Sequence, residues 1–145
     1  MATAVALAAL WGWVGASASP KAGDRNERNM RLVAIDGFFV DNDPSGQSGG
    51  DLFGSSGNLR HGGFRLGEHS SACTLAPPVG AQCQATLILR RGRIQLAGNL
   101  RIQGDSNRLA IVGGTGEFRG VRGDVILRPV DDQGSVQHLH LTILR

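Results

Sequence analysis

The chain has no tyrosine and one lysine, and both of its tryptophans, Trp11 and Trp13, lie within the first 18 residues. Only Phe38, Phe39, Phe53, Phe64 and Phe118 supply aromatic rings beyond them. That scarcity argues against sugar binding by ring stacking and against a single-stranded nucleic-acid platform, which needs successive aromatic faces. After residue 18 no 18-residue apolar run occurs, so no internal membrane span is expected. Acidic residues are also few. Lys+Arg 15 against Asp+Glu 12 gives a net charge of +3, but the cations cluster densely only at Arg90-Arg91-Gly92-Arg93. A short patch of this kind reads as a solvated turn, and no nucleic-acid partner is expected.

What is abundant is glycine, with 22 residues in a chain of 145, and a hydrophobic share of 41% that marks a globular protein. The length allows one domain. Residues 1–18, MATAVALAALWGWVGASA, form an apolar stretch ending in Ala16-Ser17-Ala18, the small-x-small pattern of a signal-peptidase site. No Lys or Arg precedes the run, and a short packed helix is the competing reading. The polar segment 19–29 that follows suits a cleaved leader and a flexible N-terminal stretch, which leaves 30–145 as the domain and a secreted protein.

The two cysteines agree with export. Cys73 and Cys83 flank a segment containing Pro77-Pro78 and Gly80, which interrupt a strand ladder and permit a turn. Cysteines facing each other across a hairpin can reach disulfide distance, and an oxidising compartment preserves the bond. A loop this short gives ~3 kcal/mol in the chain-entropy model. A reactive thiol is the alternative. A metal site is disfavoured, because two cysteines at this spacing have no matching histidine pair nearby.

From residue 30 onward alternation of period two dominates, and no window shows a helical period. Strands are expected at Arg31–Asp41, Leu52–Leu59, Phe64–Thr74, Cys83–Arg90, Ile94–Ile102, Leu109–Val112, Val121–Val130 and Val136–Leu144. Eight consecutive strands with short links suggest an all-β, antiparallel up-and-down barrel, which removes exposed sheet edges. A sandwich, the other candidate, usually needs longer cross-sheet connections. A barrel of this size can hold one small ligand.

Gly113-Gly114-Thr115-Gly116-Glu117-Phe118-Arg119-Gly120-Val121-Arg122-Gly123 resembles the GGTGxFRxARG stretch of the dirigent proteins. Gln84-Ala85-Thr86, the segment Gly92–Gly104 and Gly50-Asp51-Leu52 are similar to allene oxide cyclases. The resemblance runs from about residue 31 to 145 and is densest in the glycine-rich block. It implies an eight-stranded barrel, typically a homotrimer, with an internal pocket and neither metal nor organic cofactor. It also implies a cyclase, isomerase or stereo-directing protein acting on a small hydrophobic intermediate. Asp105 and Arg108 match, at shorter spacing, an acid and an arginine of coupling dirigents. Asp36 is the nearest acid to the cyclases' first-strand glutamate, and the cyclases' pocket tyrosine has no counterpart. Allene oxide cyclisation itself is therefore not expected.

Several residues are candidates for chemistry. Asp36, in the apolar strand around Ile35, could act as a buried acid with a raised pKa, or be a rim acid bonded to backbone amides. Asp105 could serve the same purpose, while Arg108 or Arg122 could stabilise an oxyanion. Phe38, Phe39, Arg60 and Glu68 are candidates for lining a ligand. Glu68 and His69 project to opposite faces, so at most one of them enters the barrel. His138 and His140 share a face, and zinc would need a third ligand that the sequence does not supply. Gly113–Gly116 lacks the lysine and helix of a phosphate loop and reads as a turn. Gly54-Ser55-Ser56-Gly57 is not a strand-to-helix nucleophile elbow, so serine hydrolase chemistry is not expected. A secreted carrier barrel without chemistry, like a lipocalin in role, is the second functional reading.

Overall fold

The computed structural model describes residues 26–42, 46–78, 80–101, 104–131 and 135–145. The leader expected at 1–18 lies outside them. In the first strand, side chains are described only for Arg31, Val33, Phe38 and Val40. The strands are β1 (Asn26–Val40), β2 (Leu52–His61), β3 (Phe64–Ala76), β4 (Gly80–Leu89), β5 (Gly92–Leu100), β6 (Asn107–Gly114), β7 (Arg122–Pro129) and β8 (Val136–Leu144). Each is antiparallel to its neighbours in chain order, and β8 pairs back with β1 to close a barrel. Period-two alternation then sorts every strand into an inner and an outer face. No helix among the described residues is long and apolar enough to cross a membrane.

The alternation explains where the core sits. Leu109 and Ile111 of β6, Val125 of β7, and Leu139, Leu141 and Ile143 of β8 are all buried, and their register aligns them in rows. With Leu59, Leu87, Ile94 and Leu96 they form one large interior cluster. The β6–β7 connection contributes to it as well. Instead of a simple glycine turn, Gly116–Phe118 forms a short 3-10 turn that buries Phe118 and Val121. Glu117 N–H donates to the Arg91 carbonyl at 3.0 Å, tying this plug to the β4–β5 turn.

A second, smaller cluster holds Cys73, Leu75, Ala81 and Cys83, with Phe53 and Leu100 against it. Cys73 and Cys83 are directly opposed and disulfide-bonded, with Cα atoms 4.1 Å apart. The β3–β4 ladder continues beyond the bond, through Leu75–Ala81 and Ala76–Gly80, so the loop is tighter than the sequence suggests. Burial of Leu75 and Ala81 favours extending the strands. The peptide between Pro77 and Pro78 is cis.

The long β1–β2 connection is held by one buried acid. The Asp51 carboxylate accepts hydrogen bonds from Ser48 N–H at 2.7 Å and Asn42 N–H at 2.9 Å. Its own carbonyl accepts from Leu75 N–H at 2.8 Å, docking the loop on β3. The Ser48 and Asn42 amides hold the carboxyl below the usual carboxylate range, against the opposing effect of burial. An unfolded aspartate titrates at about 3.9. A lowered folded value means that this stabilisation is complete above that pH and is lost as pH falls through the folded value. Asp51→Asn should therefore lower the melting temperature at pH 7 and shrink that difference towards pH 2. Circular dichroism melts check this, and an equal difference at both pH values would contradict it.

Candidate functional site

Among the described residues, polar side chains at inward positions concentrate in a band across β2 and β3. There the inward positions carry Ser55 and Gly57 on β2, and Gly67, His69 and Ser71 on β3, with Ala85 opposite Ser71 on β4. Ser55, Gly57, Ser71 and Ala85 face inward and are only half-buried. His69 is buried, 3% exposed, between Gly57 and Leu87 in the register.

The three polar groups are connected. Ser71 Oγ lies 3.3 Å from the Ser55 carbonyl, to which it donates, and accepts from Ser55 N–H at 3.2 Å. Ser55 Oγ lies 3.1 Å from Ser71 Oγ and 3.4 Å from His69 Nε2. The Ser55 hydroxyl hydrogen can thus point at either neighbour. His69 Nδ1 is buried with no hydrogen-bond partner. Burial pushes the imidazole below its ordinary value, and the Gly57 carbonyl opposes this only in part. At neutral pH the ring is uncharged, with one ring nitrogen able to accept a proton. No carboxylate partners Nδ1, so the group is a histidine with two hydroxyls and not a hydrolase triad.

The structure distributes the sequence candidates differently. Glu68 lies outside the barrel, exposed and paired with Arg65, because β3 turns His69 inward in its place. Arg60 is exposed on the outer face, since its neighbour Leu59 is fully buried. Phe38 is 50% exposed and lies against Gly54 on the outside, where a Cβ on Gly54 would come within 2.6 Å of its ring. Arg108 is exposed, 3.5 Å from Asp124, because β6 points Leu109 and Ile111 inward. Arg122 and Asp105 are exposed too. A register shift between Ala34 and Asp36 places the Asp36 backbone opposite the exposed Ser56. The side chains of Asp36 and Phe39 lie outside the described residues. Among the described residues no His/Cys/Asp/Glu group could hold a metal.

The fold and site together define an antiparallel barrel that carries, among the described residues, a Ser55–His69–Ser71 cluster beside its apolar core. No protein-family profile and no curated protein matches the sequence. Solved structures do share the fold. Pyocyanin demethylase is 21% identical over 81% of this chain and 99% of its own, with a TM-score of 0.72. A pterocarpan synthase dirigent protein is 15% identical over 85% of this chain and 96% of its own, at 0.65. The Diels-Alderase AbmU from Streptomyces koyangensis is 15% identical over 82% of this chain and 64% of its own, at 0.68. The chain thus has the fold of dirigent proteins and cyclase-like barrels, as its glycine-rich block implies.

The electrostatic description of His69 has a direct check. In NMR titration its imidazole should titrate below 6.5, the ordinary value. A lowered folded pKa costs stability as pH falls from the unfolded value towards the folded one, and His69→Gln should remove that part of the acid-side loss. A midpoint at or above 6.5 would contradict a desolvated ring.

Proposed function

We propose that the chain is a cofactor-independent cyclase, isomerase or stereo-directing protein that holds a small hydrophobic intermediate inside the barrel. The observation that carries this reading is the buried, uncharged His69 linked to Ser55 beside small, half-buried inner positions. An apolar wall with a few convergent polar groups, one of them with a shifted pKa, is the usual composition of a small-molecule site. The fold neighbours are named for chemistry on small organic molecules, among them a demethylase, a pterocarpan synthase dirigent protein and a [4 + 2] cycloaddition cyclase. Their variety fits a barrel whose common contribution is to confine and orient.

Two effects supply the mechanism. Confinement selects a productive conformation of the bound molecule, which removes part of the entropic barrier. His69 takes a proton from one atom of the intermediate and returns it at another, so the step is redox-neutral and leaves the protein unchanged. Ser55, oriented by Ser71, hydrogen-bonds either to His69 or to the bound molecule. Asp36 and Asp105, as supporting acids, are secondary assignments in this proposal, tested by neutral replacements, whereas Arg108 and Arg122 stand on the outer face and do not reach a molecule held in the interior. The disulfide supports an exported protein, and a homotrimer is the oligomer that the resemblance implies.

A carrier without chemistry is the second reading, favoured by the lack of a carboxylate behind His69 Nδ1. His69→Gln separates the two, because it preserves polarity and removes the base. For the catalyst, turnover of the natural intermediate should fall by about 10²-fold or more, with a modest change in affinity. The wild-type rate should decline as pH falls below the lowered His69 pKa. Unchanged product yield and ratio with and without the wild-type protein would leave the carrier.

A further inference from the structure

Outside the barrel, one row of cross-strand neighbours brings together three arginines and a histidine. Arg60 of β2 stands opposite Arg31 of β1, Arg31 opposite His138 of β8, and His138 opposite Arg128 of β7. All four are exposed. Like charges directly opposed across strands destabilise a sheet. Elsewhere on the surface Arg65, Arg91 and Arg108 have carboxylate partners in Glu68, Glu117 and Asp124. Among the described residues no ion pair joins Arg31, Arg60 or Arg128 to a carboxylate.

The row is also concave. The β2–β3 turn forms a wall, and a groove of about 440 Å³ is lined by Arg31, Arg128, His61 and His138, with Ile126 as an apolar flank. A second groove of about 490 Å³ is lined by Arg31, Arg60 and Asn58. The two share Arg31 and Gly62, so Arg31 belongs to both. Guanidinium groups present planar donor forks matched to tetrahedral and planar oxyanions, and a bound anion relieves their mutual repulsion.

We propose that this outer-face groove is an anion-binding site for a phosphate-type oxyanion, separate from the barrel interior. A ligand with two linked phosphate groups can engage Arg31 and Arg128 together, with Arg60 reached from the adjoining groove. Two adjoining grooves of this size suit a small ligand or a single headgroup better than a nucleic acid.

Inorganic pyrophosphate is the probe, titrated calorimetrically into the full chain, Arg31→Gln, Arg128→Gln and Arg93→Gln. Arg93 is an exposed arginine on β5, away from the groove, and serves as the charge control. The expected result is saturable binding that weakens at least tenfold in Arg31→Gln and in Arg128→Gln and is unchanged in Arg93→Gln. Melting curves show whether each variant is folded, and pyrophosphate should raise the melting temperature of the unaltered chain but not of Arg31→Gln. No saturable binding, or an equal loss in Arg93→Gln, overturns the site. Sedimentation with phosphatidic acid vesicles then assigns the source. Retention displaced by pyrophosphate assigns a lipid headgroup, and no retention assigns a soluble phosphate compound.

Discussion

Closure of the sheet between β1 and β8 is the constraint on which the rest of the structure depends. Asn26 to Val33 pair with Ile143 to Val136, so the backbone donors and acceptors of the first and last strands are satisfied by each other. An open eight-stranded sheet would leave two edges to pair with other chains. Closure also fixes which residues are inside. Once the ring is complete, the phase of any one strand determines the phase of its neighbours through the register, and a single slip would turn buried leucines to solvent.

Within that ring, large and small side chains divide the interior. The β5–β8 side is filled by Leu96, Leu109, Ile111, Val125, Leu139, Leu141 and Ile143, with Phe118 and Val121 as a plug from the β6–β7 connection. Facing it, the middle of β2 and β3 presents glycine, serine and one histidine between Leu59 at one end and Phe53, Cys73 and Leu75 at the other. A buried polar group is costly unless it is paired, and His69 Nδ1 is unpaired. The stability of the filled side tolerates this cost, which is the usual relation between a rigid scaffold and a site held on it.

Much of the fold was legible in the sequence, because β4, β5 and β8 alternate cleanly and need no tertiary information to be recognised. The disulfide was legible too. The site was less so. Residues 64–76 carry polar groups on both faces, and Glu68 is as good a candidate as His69 when the strand is read alone. A usable signal was present nonetheless. Cys83 shares its face with Ala85, Leu87 and Leu89; a disulfide from Cys83 puts Cys73 on that inner face, and alternation then carries Ser71 and His69 inward. The first strand was not legible in this way. It is apolar on both faces around Leu32–Ile35, and the register shift between Ala34 and Asp36 changes the phase without leaving a mark in the sequence. The arginine row was hidden for another reason: Arg31, Arg60 and Arg128, with His138 between Arg31 and Arg128, are far apart in the chain and meet only through the pairing of four strands.

The central claim is that a small apolar molecule occupies the interior next to His69. A crystal structure grown with a compact aromatic probe such as indole tests it most directly. The account predicts density for the probe inside the barrel beside the Ser55–His69–Ser71 cluster, with a polar atom of the probe facing His69. An interior closed by side chains, with the probe bound only on the outer surface or not at all, would contradict it.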